Sequence, residues 1–220
     1  MTNPIPRLSK WLGRFIPEGR WGRRLLGHRR YVGGMWETIG PLQLAFMAEQ
    51  GLEPQQCLLD IACGSLRGGA HFIRYLEAGN YLGLDKDAGL IEAGVTKELE
   101  PGLLEEKRPE FVMSATFEFD QFSKRPDYSL AQSLFTHIRS EEILLCLRNL
   151  RQFVEAGHLC YATFFESGST IEPDQSHSFS FAAYPISEMQ RFGEETGWQF
   201  TYIGDWGHPR GQIMVRYTAA

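Results

Sequence analysis

Residues 58–69 read "LLDIACGSLRGG". A short apolar run ends in an acid, a turn of small residues follows, and a glycine pair opens the next segment. This order is typical of the turn between a buried strand and a helix in an open α/β sheet, where ligands bind. The dinucleotide pattern G-x-G-x-x-G is incomplete, because Ala62, Gly64 and Gly68 align with it and Leu66 replaces a further glycine. The turn therefore predicts a ligand site and leaves the ligand open.

Apolar strand-like segments alternate with helical segments beyond this turn. Pro41 suits a first helical residue, Ser140 suits an N-cap, and Ser187 with Gln190 matches a capping box. The last two strands are separated by only "GHPRG", so they are expected to pair antiparallel. Strands are predicted at 57–61, 81–85, 110–115, 128–135, 158–165, 198–206 and 212–217, and helices at 41–50, 67–76, 88–99, 140–154 and 187–196.

This alternation predicts an α/β fold with helices on both faces of the sheet. We expect a Rossmann-like, doubly wound, mostly parallel sheet of seven strands that ends in an antiparallel hairpin. Residues 31–220 are predicted to form one domain, because their number suits a single well-filled core. The polar segment 166–185 is too long for a simple connection, which indicates a lid or binding loop.

Charge divides the chain into a basic arm, residues 1–30, and an acidic body. The arm carries +7 and the whole chain −5, which leaves −12 for residues 31–220. An acidic body argues against nucleic acid as a partner. The arm either contacts an anionic surface such as a membrane, or is solvated and packs its aromatic residues on the domain. The apolar residues among its charges are Trp11, Phe15, Trp21 and Leu25.

Other features limit the class of protein. No apolar run approaches the roughly 20 residues of a membrane helix, and the basic start lacks the apolar core of a secretory signal. The four cysteines have apolar neighbours and no metal-ligand spacing, so we expect reduced packing residues, no metal site and a cytoplasmic protein. They are Cys57, Cys63, Cys146 and Cys160.

Two acids narrow the choice of ligand. Asp85 ends the second strand 21 residues beyond Gly64, the spacing at which an acid binds a ribose diol. Asp60 lies inside the turn, where a carboxylate repels a pyrophosphate and suits a cation. S-adenosylmethionine has a ribose, a sulfonium and an ammonium, and no phosphate. Its carboxylate suits the helix start near Ser65 and Arg67.

The stretches "LLDIACGSLRGG" and "YLGLDKD" resemble motif I and the strand-two acid of class I S-adenosylmethionine-dependent methyltransferases. The resemblance covers residues 31–217 and includes "GGMWETIGPLQ" and "AQSLFTHI". It is greatest to a small bacterial branch with "GSLRGG" and "GDWGHPRGQ", which we associate with methylation of small molecules and glycan sugars. Ala62 and Leu66 depart from the family's usual glycines, and Leu66 makes the turn tighter.

The resemblance implies a cofactor site at the carboxyl ends of the strands. Asp85 is expected to bind the ribose hydroxyls, with Lys86 beside the adenine edge. The resemblance also places three groups of residues around the cofactor. They are Asp60, Ala62, Gly64 and Ser65 at the methionine half, Ala115, Thr116 and Phe117 beside the adenine, and Gln132 and Ser133 facing the sulfonium.

Methyl transfer from a sulfonium is an in-line displacement in which the protein supplies position and electrostatics. A hydroxyl acceptor needs a general base, whereas a carboxylate or amine needs little help. Candidate bases near strand ends are His137, His177 and His208, each with a structural alternative as a capping, loop or turn residue. Candidate acceptor contacts are Tyr31, Trp36, Phe181 and Tyr184.

Several methyltransferase classes are argued against. Strand four lacks the Pro-Pro-aromatic ending of DNA amino methyltransferases, no Pro-Cys pair offers a thiolate, and no carboxylate trio suits Mg²⁺. We therefore expect metal-free methylation of a small molecule or sugar, at oxygen. The alternatives are a non-catalytic S-adenosylmethionine-binding module, an RNA methyltransferase that uses the basic arm, and a nicotinamide-dependent oxidoreductase.

Overall fold

The computed structural model of the chain describes residues 19–220, in which seven strands form one sheet. The strand order is β3-β2-β1-β4-β5-β7-β6, and only β7 runs antiparallel to its neighbours. The predicted fold class is confirmed. The strands are β1 (Leu58–Ile61), β2 (Tyr81–Asp85), β3 (Glu110–Met113), β4 (Tyr128–Ala131), β5 (Leu159–Phe164), β6 (Trp198–Asp205) and β7 (Ile213–Ala219).

Helices cover both faces of this sheet. Short 3₁₀ turns at Phe119–Gln121 and Leu134–Thr136 follow β3 and β4. The α-helices are α1 (Arg20–Leu26), α2 (His28–Tyr31), α3 (Trp36–Glu49), α4 (Gly69–Tyr75), α5 (Ala88–Glu98), α6 (Leu103–Lys107), α7 (Ser140–Phe153) and α8 (Ile186–Glu195).

Alternating strand residues feed two apolar cores, one on each face. Leu59 and Ile61 of β1 pack with α7 and α8, whereas Leu58 packs with α3 and α4. Both faces are therefore buried, which is why β1 reads as a continuous apolar run around a single acid. All four cysteines are buried and unpaired, as the apolar neighbours predicted.

Three predictions about the starts of helices are wrong. Pro41 lies inside α3, which begins five residues earlier and tolerates one missing backbone hydrogen bond. The N-cap of α7 is Arg139, whose N–H donates to the Glu142 side chain, and not Ser140. α8 begins at Ile186 after Pro185 with no side-chain cap, so the predicted capping box does not form.

The described part of the basic arm is helical and docks on α5. Arg23 pairs with Asp87, and Arg29 donates to both carboxylate oxygens of Glu98 at 2.9 and 2.6 Å. Trp21 and Leu25 are 65% and 71% exposed, so these two apolar side chains do not pack on the domain. Trp11 and Phe15 lie outside the described residues. Within residues 19–220, no helix has the length and apolar character needed to cross a membrane.

Candidate functional site

The turn after β1 is built from residues in the left-handed backbone region. Ala62, Gly64 and Leu66 have φ angles of 63°, 57° and 65°. Every second residue of the turn therefore has a positive φ angle. This conformation is unfavourable by roughly 1–2 kcal/mol for residues other than glycine. Complete burial of Leu66 in the core offsets that strain. Ala62 and Leu66, which replace the usual glycines of the family, thus adopt the left-handed backbone conformation that glycine favours.

Asp85 joins this turn to the end of β2. Its Oδ2 accepts the Gly64 N–H at 2.9 Å, and its Oδ1 accepts the Asp87 N–H at 2.8 Å. Burial raises the pKa of this carboxyl, while the two backbone hydrogen bonds act in the opposite direction. Each oxygen keeps a lone pair, so the carboxylate is able to accept a pair of vicinal hydroxyls.

Asp60 is buried beneath the same turn. Its Oδ2 accepts a hydrogen bond from the Tyr81 hydroxyl at 2.8 Å, so it does not close the turn through backbone N–H groups. The pKa of Asp60 is raised to about 7, chiefly by burial and also by the charge of Asp85, although the Tyr81 hydrogen bond and the charge of Arg67 act in the opposite direction. A buried carboxylate with a raised pKa is stabilised by a cationic ligand.

A cavity of about 490 Å³ opens at Lys86 and Asp87, the two residues that follow Asp85. This volume lies within the range of roughly 300–1,000 Å³ that is usual for small-ligand sites. Its walls combine α1 and α2 with the loops that follow β2 and β3. The lining residues are Gly19, Arg20, Arg23, Tyr31, Lys86, Asp87, Ala88, Ala115 and Ser178.

The residues expected beside adenine are divided between this cavity and the core. Lys86 and Ala115 line the cavity, and Thr116 is exposed next to them. Phe117 has a φ of 59°, is buried, and stacks on Phe119 with ring centroids 6.2 Å apart. Its side chain therefore packs in the core beneath the loop that follows β3 and does not line the cavity.

A polar network lies at the end of β4. The Gln212 Oε1 accepts hydrogen bonds from Gln132 Nε2 at 3.1 Å, Ser133 Oγ at 3.0 Å and Thr163 Oγ1 at 2.8 Å. Ser133 has a φ of 62°, which ends β4 four residues earlier than predicted. The network brings the two residues expected near the sulfonium together with Thr163 and Gln212, which sequence reasoning did not select.

The sequence contains a weak signal for both Thr163 and Gln212. Thr163 is a polar residue within the apolar strand "HLCYATFF", and Gln212 precedes the apolar run of β7. A lone polar residue in a buried strand needs a partner. The antiparallel pairing of β5 with β7 is what brings these two side chains together.

The three candidate histidines lie at the same edge of the sheet. His137 Nδ1 is 2.5 Å from the Ser180 carbonyl oxygen, and His177 Nδ1 accepts the Phe179 N–H at 3.1 Å. His208 stacks on Trp206 and its Nε2 is 3.3 Å from Gln132 Nε2. Burial lowers the pKa of His137, and it lowers that of His208 to about 4, so both rings are neutral at pH 7.

The four expected acceptor contacts are not brought together. Tyr31 lines the cavity and packs edge-to-face on Phe179 at 5.2 Å. Trp36 lines a separate surface groove. Phe181 stacks on Phe165 at 5.3 Å. Tyr184 is fully buried and donates to the Ile138 carbonyl, so it is a core residue and offers no contact to a ligand.

The chain from 32 to 34 covers the turn after β1. A Cβ added at Gly64 would lie 3.2 Å from Val32 Cγ1. The Nη1 of Arg67 holds this segment by donating to the Val32 and Gly34 carbonyl oxygens at 3.2 and 3.1 Å. Arg67 Nε and Gln132 Oε1 are buried without a hydrogen-bond partner. Each of these two atoms lacks the partner that a buried polar atom normally has, so each is available to a ligand.

The strand order, the antiparallel β7 and the acid-bearing turn together define the fold of class I S-adenosylmethionine-dependent methyltransferases. Magnesium protoporphyrin IX methyltransferase (ChlM) from Synechocystis PCC 6803, solved with bound S-adenosylmethionine, matches with a TM-score of 0.64 and 13% identity over 100% of both chains.

Two further solved structures share this fold. The glycopeptide N-methyltransferase MtfA, complexed with S-adenosylhomocysteine, matches with a TM-score of 0.65 and 11% identity, over 82% of this chain and 90% of its own. The methyltransferase domain of bacterial CtHen1-C matches with a TM-score of 0.58 and 15% identity, over 82% of this chain and 97% of its own. No protein-family model matches the sequence. At these identities the similarity shows the fold.

Proposed function

We propose that this protein is an S-adenosylmethionine-dependent methyltransferase that acts on a hydroxyl oxygen of a small molecule or sugar. The observation that carries the proposal is Asp85 at the end of β2, which is bonded to the Gly64 N–H and directly precedes Lys86 and Asp87, two residues that line a ligand-sized cavity. ChlM and MtfA, which share the fold, were solved with S-adenosylmethionine or S-adenosylhomocysteine bound. A cytoplasmic location stays a prediction.

The described residues fit this cofactor. Asp85 offers two oxygens to a ribose diol, and the buried carboxylate of Asp60 suits an ammonium. Lys86 and Ala115 provide walls for an adenine ring. The unpartnered Arg67 Nε is a donor for a carboxylate. When bound, S-adenosylmethionine supplies a methyl group on a positively charged sulfur.

His137 is proposed to hold the proton that a hydroxyl acceptor loses. Because its Nδ1 faces a carbonyl oxygen, Nδ1 carries the hydrogen and Nε2 keeps the lone pair that accepts a proton. Burial keeps the ring neutral and therefore ready to act as a base. Gln132 and Ser133 are held by Gln212 and position the neighbouring edge of the site.

Asp85→Ala is expected to weaken S-adenosylhomocysteine binding by roughly 10- to 100-fold, because two hydrogen bonds to a charged carboxylate are lost. Calorimetry with S-adenosylmethionine, S-adenosylhomocysteine and NAD is the test, and the wild-type protein should bind only the first two. Asp120→Ala, an exposed acid in a 3₁₀ turn, is the matched control and should bind normally. Tighter binding of NAD, or equal affinity of both variants, would contradict the proposal.

His137→Ala is expected to lower turnover by roughly 10²- to 10⁴-fold, the usual contribution of general base catalysis. Transfer of a labelled methyl group to hydroxyl-bearing small molecules and sugars measures turnover, and calorimetry should show unchanged S-adenosylhomocysteine affinity. His177→Ala tests the second candidate in the same assay. If both variants kept wild-type turnover, neither histidine would be the base.

A further inference from the structure

Two guanidinium groups converge on one residue at the edge of the sheet where the cofactor site lies. Arg210, in the turn between β6 and β7, donates to the Gly33 carbonyl oxygen, while Arg67 donates to the carbonyl oxygens on either side of it. A Cβ added at Gly33 would lie 3.0 Å from Arg210 Nη1 and 3.7 Å from Arg67 Nη1. The two cations therefore flank the same point.

Neither guanidinium forms a direct ion pair with another described residue, although the charge of the buried Asp60 acts on Arg67. Their hydrogen-bond acceptors are neutral peptide carbonyls, and within residues 19–220 neither arginine has a carboxylate at ion-pair distance. Elsewhere Arg29 and Arg74 pair directly with glutamates. The two close guanidiniums repel each other, Asp60 offsets part of this repulsion at Arg67, and an anion beside Arg210 would offset more of it.

The ring of His208 lies beside Arg210, whereas the buried carboxyl group of Asp60 acts on Arg67. His208 Nδ1 accepts the Arg210 N–H at 3.3 Å, and the same ring contacts Gln132. After burial, the charges of Arg67 and Arg210 lower the pKa of His208, and they also act on His137. The candidate base and both cations thus share one small region. Its charge favours a negative ligand.

Arg210 has donors left for such a ligand. Its bond to Gly33 uses one nitrogen of a guanidinium that carries five N–H donors in a planar fork. That fork matches the two oxygens of a carboxylate or phosphate. Arg210 is exposed, so an incoming ligand reaches it without moving the core.

We propose that the methyl acceptor is an anion that carries a carboxylate or phosphate group, and that Arg210 binds this group with the charge of Arg67 in support. The inference rests on the proposed function and narrows its substrate class. The anionic group anchors the acceptor, and a separate hydroxyl oxygen faces His137. In the transfer, this oxygen bonds to the methyl carbon, the carbon–sulfur bond breaks, and the hydroxyl proton passes to His137 Nε2.

Binding of simple probes to the full-length protein saturated with S-adenosylhomocysteine tests this proposal. Benzoate, phenyl phosphate and the neutral benzamide are titrated separately, and the ring proton shifts of the histidines are followed by nuclear magnetic resonance. At least one anion is expected to bind in the millimolar range and benzamide is not. Which of the two anions binds more tightly distinguishes a carboxylate from a phosphate acceptor.

Three variants make the result specific. Arg210→Gln should weaken anion binding by about 10-fold or more, and Arg210→Lys by less, since it keeps the charge and loses the fork. Arg125→Gln removes an exposed arginine that pairs with Glu155 and should bind as the wild type does. Normal S-adenosylhomocysteine affinity in each variant shows that the fold is intact.

The outcomes separate this inference from the proposed function. If S-adenosylhomocysteine binds and neither anion does, or benzamide binds equally well, the anionic acceptor is refuted and the methyltransferase proposal stands. Equal anion binding by wild type and Arg210→Gln likewise refutes the role of Arg210. If S-adenosylhomocysteine itself does not bind, both proposals fail.

Discussion

Asp60→Asn is expected to stabilise the unliganded protein at neutral pH and to weaken its binding of S-adenosylhomocysteine. Asp60 is buried, and burial raises its pKa from 3.8 to about 7, so its charged form is unfavourable in the folded state. Asparagine has the same shape, carries no charge and still accepts the Tyr81 hydroxyl. The gain in free energy of unfolding is on the order of 1–4 kcal/mol.

The stabilisation should depend on pH with a definite sign. Between pH 4 and pH 7 the folded protein binds more protons at Asp60 than the unfolded chain does, so wild-type stability falls as pH rises through this range. The amide that Asp60→Asn introduces does not titrate. The difference in stability between this variant and wild type should therefore be small below pH 4 and largest above pH 7.

Denaturant unfolding at pH 4, 6 and 8 measures the first effect, and calorimetry with S-adenosylhomocysteine measures the second. Loss of the charged hydrogen bond between the Asp60 carboxylate and the ammonium of the ligand should weaken binding by roughly 10- to 100-fold. Asp120→Asn, at an exposed position, should change neither quantity. A variant that is destabilised at pH 8, or that binds as tightly as wild type, would show that Asp60 has a structural role instead.

Gly94→Ala is expected to destabilise the protein and disturb the turn after β1. A Cβ at Gly94 would lie 2.6 Å from Leu66 Cγ and 2.8 Å from the carbonyl carbon and oxygen of Ser65. Backbone atoms do not rotate out of the way, so α5 or the turn has to shift. Such overpacking lowers the free energy of unfolding by about 1–3 kcal/mol, in spite of the better helix propensity of alanine.

Denaturant unfolding and S-adenosylhomocysteine binding report on this variant. Because Gly64 belongs to the displaced turn, ligand affinity should fall together with stability. Gly168→Ala is the matched control, since a Cβ there meets nothing within 4 Å and its φ is not positive. Wild-type stability of Gly94→Ala would mean that helix α5 approaches the turn less closely than the structure shows.

Local patterns accounted for most of the architecture. The apolar runs at β1, β2, β4 and β5 predicted strands because both faces of a parallel sheet are buried. The spacing between Gly64 and Asp85 predicted that an acid for a ribose diol ends the second strand. The structure adds that this acid also accepts the Gly64 N–H. The short turn between the last two strands predicted their antiparallel pairing.

Other parts of the site depend on residues far apart in the chain. The docking of α1 and α2 rests on Arg23 with Asp87 and on Arg29 with Glu98, and no local period predicts such pairs. The observed helix starts also differ from the predicted ones. Tertiary contacts outweigh the weak preference of single residues such as Pro41 and Ser140 for the first positions of a helix.

The sequence by itself thus determined the seven strands in their order along the chain, five of the helices, the acid-bearing turn and the acid that ends the second strand, but not α1, α2 or α6. Only the tertiary structure decided that Tyr184 is a core residue, that Gln212 holds Gln132 and Thr163, and that Arg67 and Arg210 flank Gly33. Strand and helix periodicity is a local property, whereas these contacts arise from pairing and packing between distant segments, which a linear pattern does not encode.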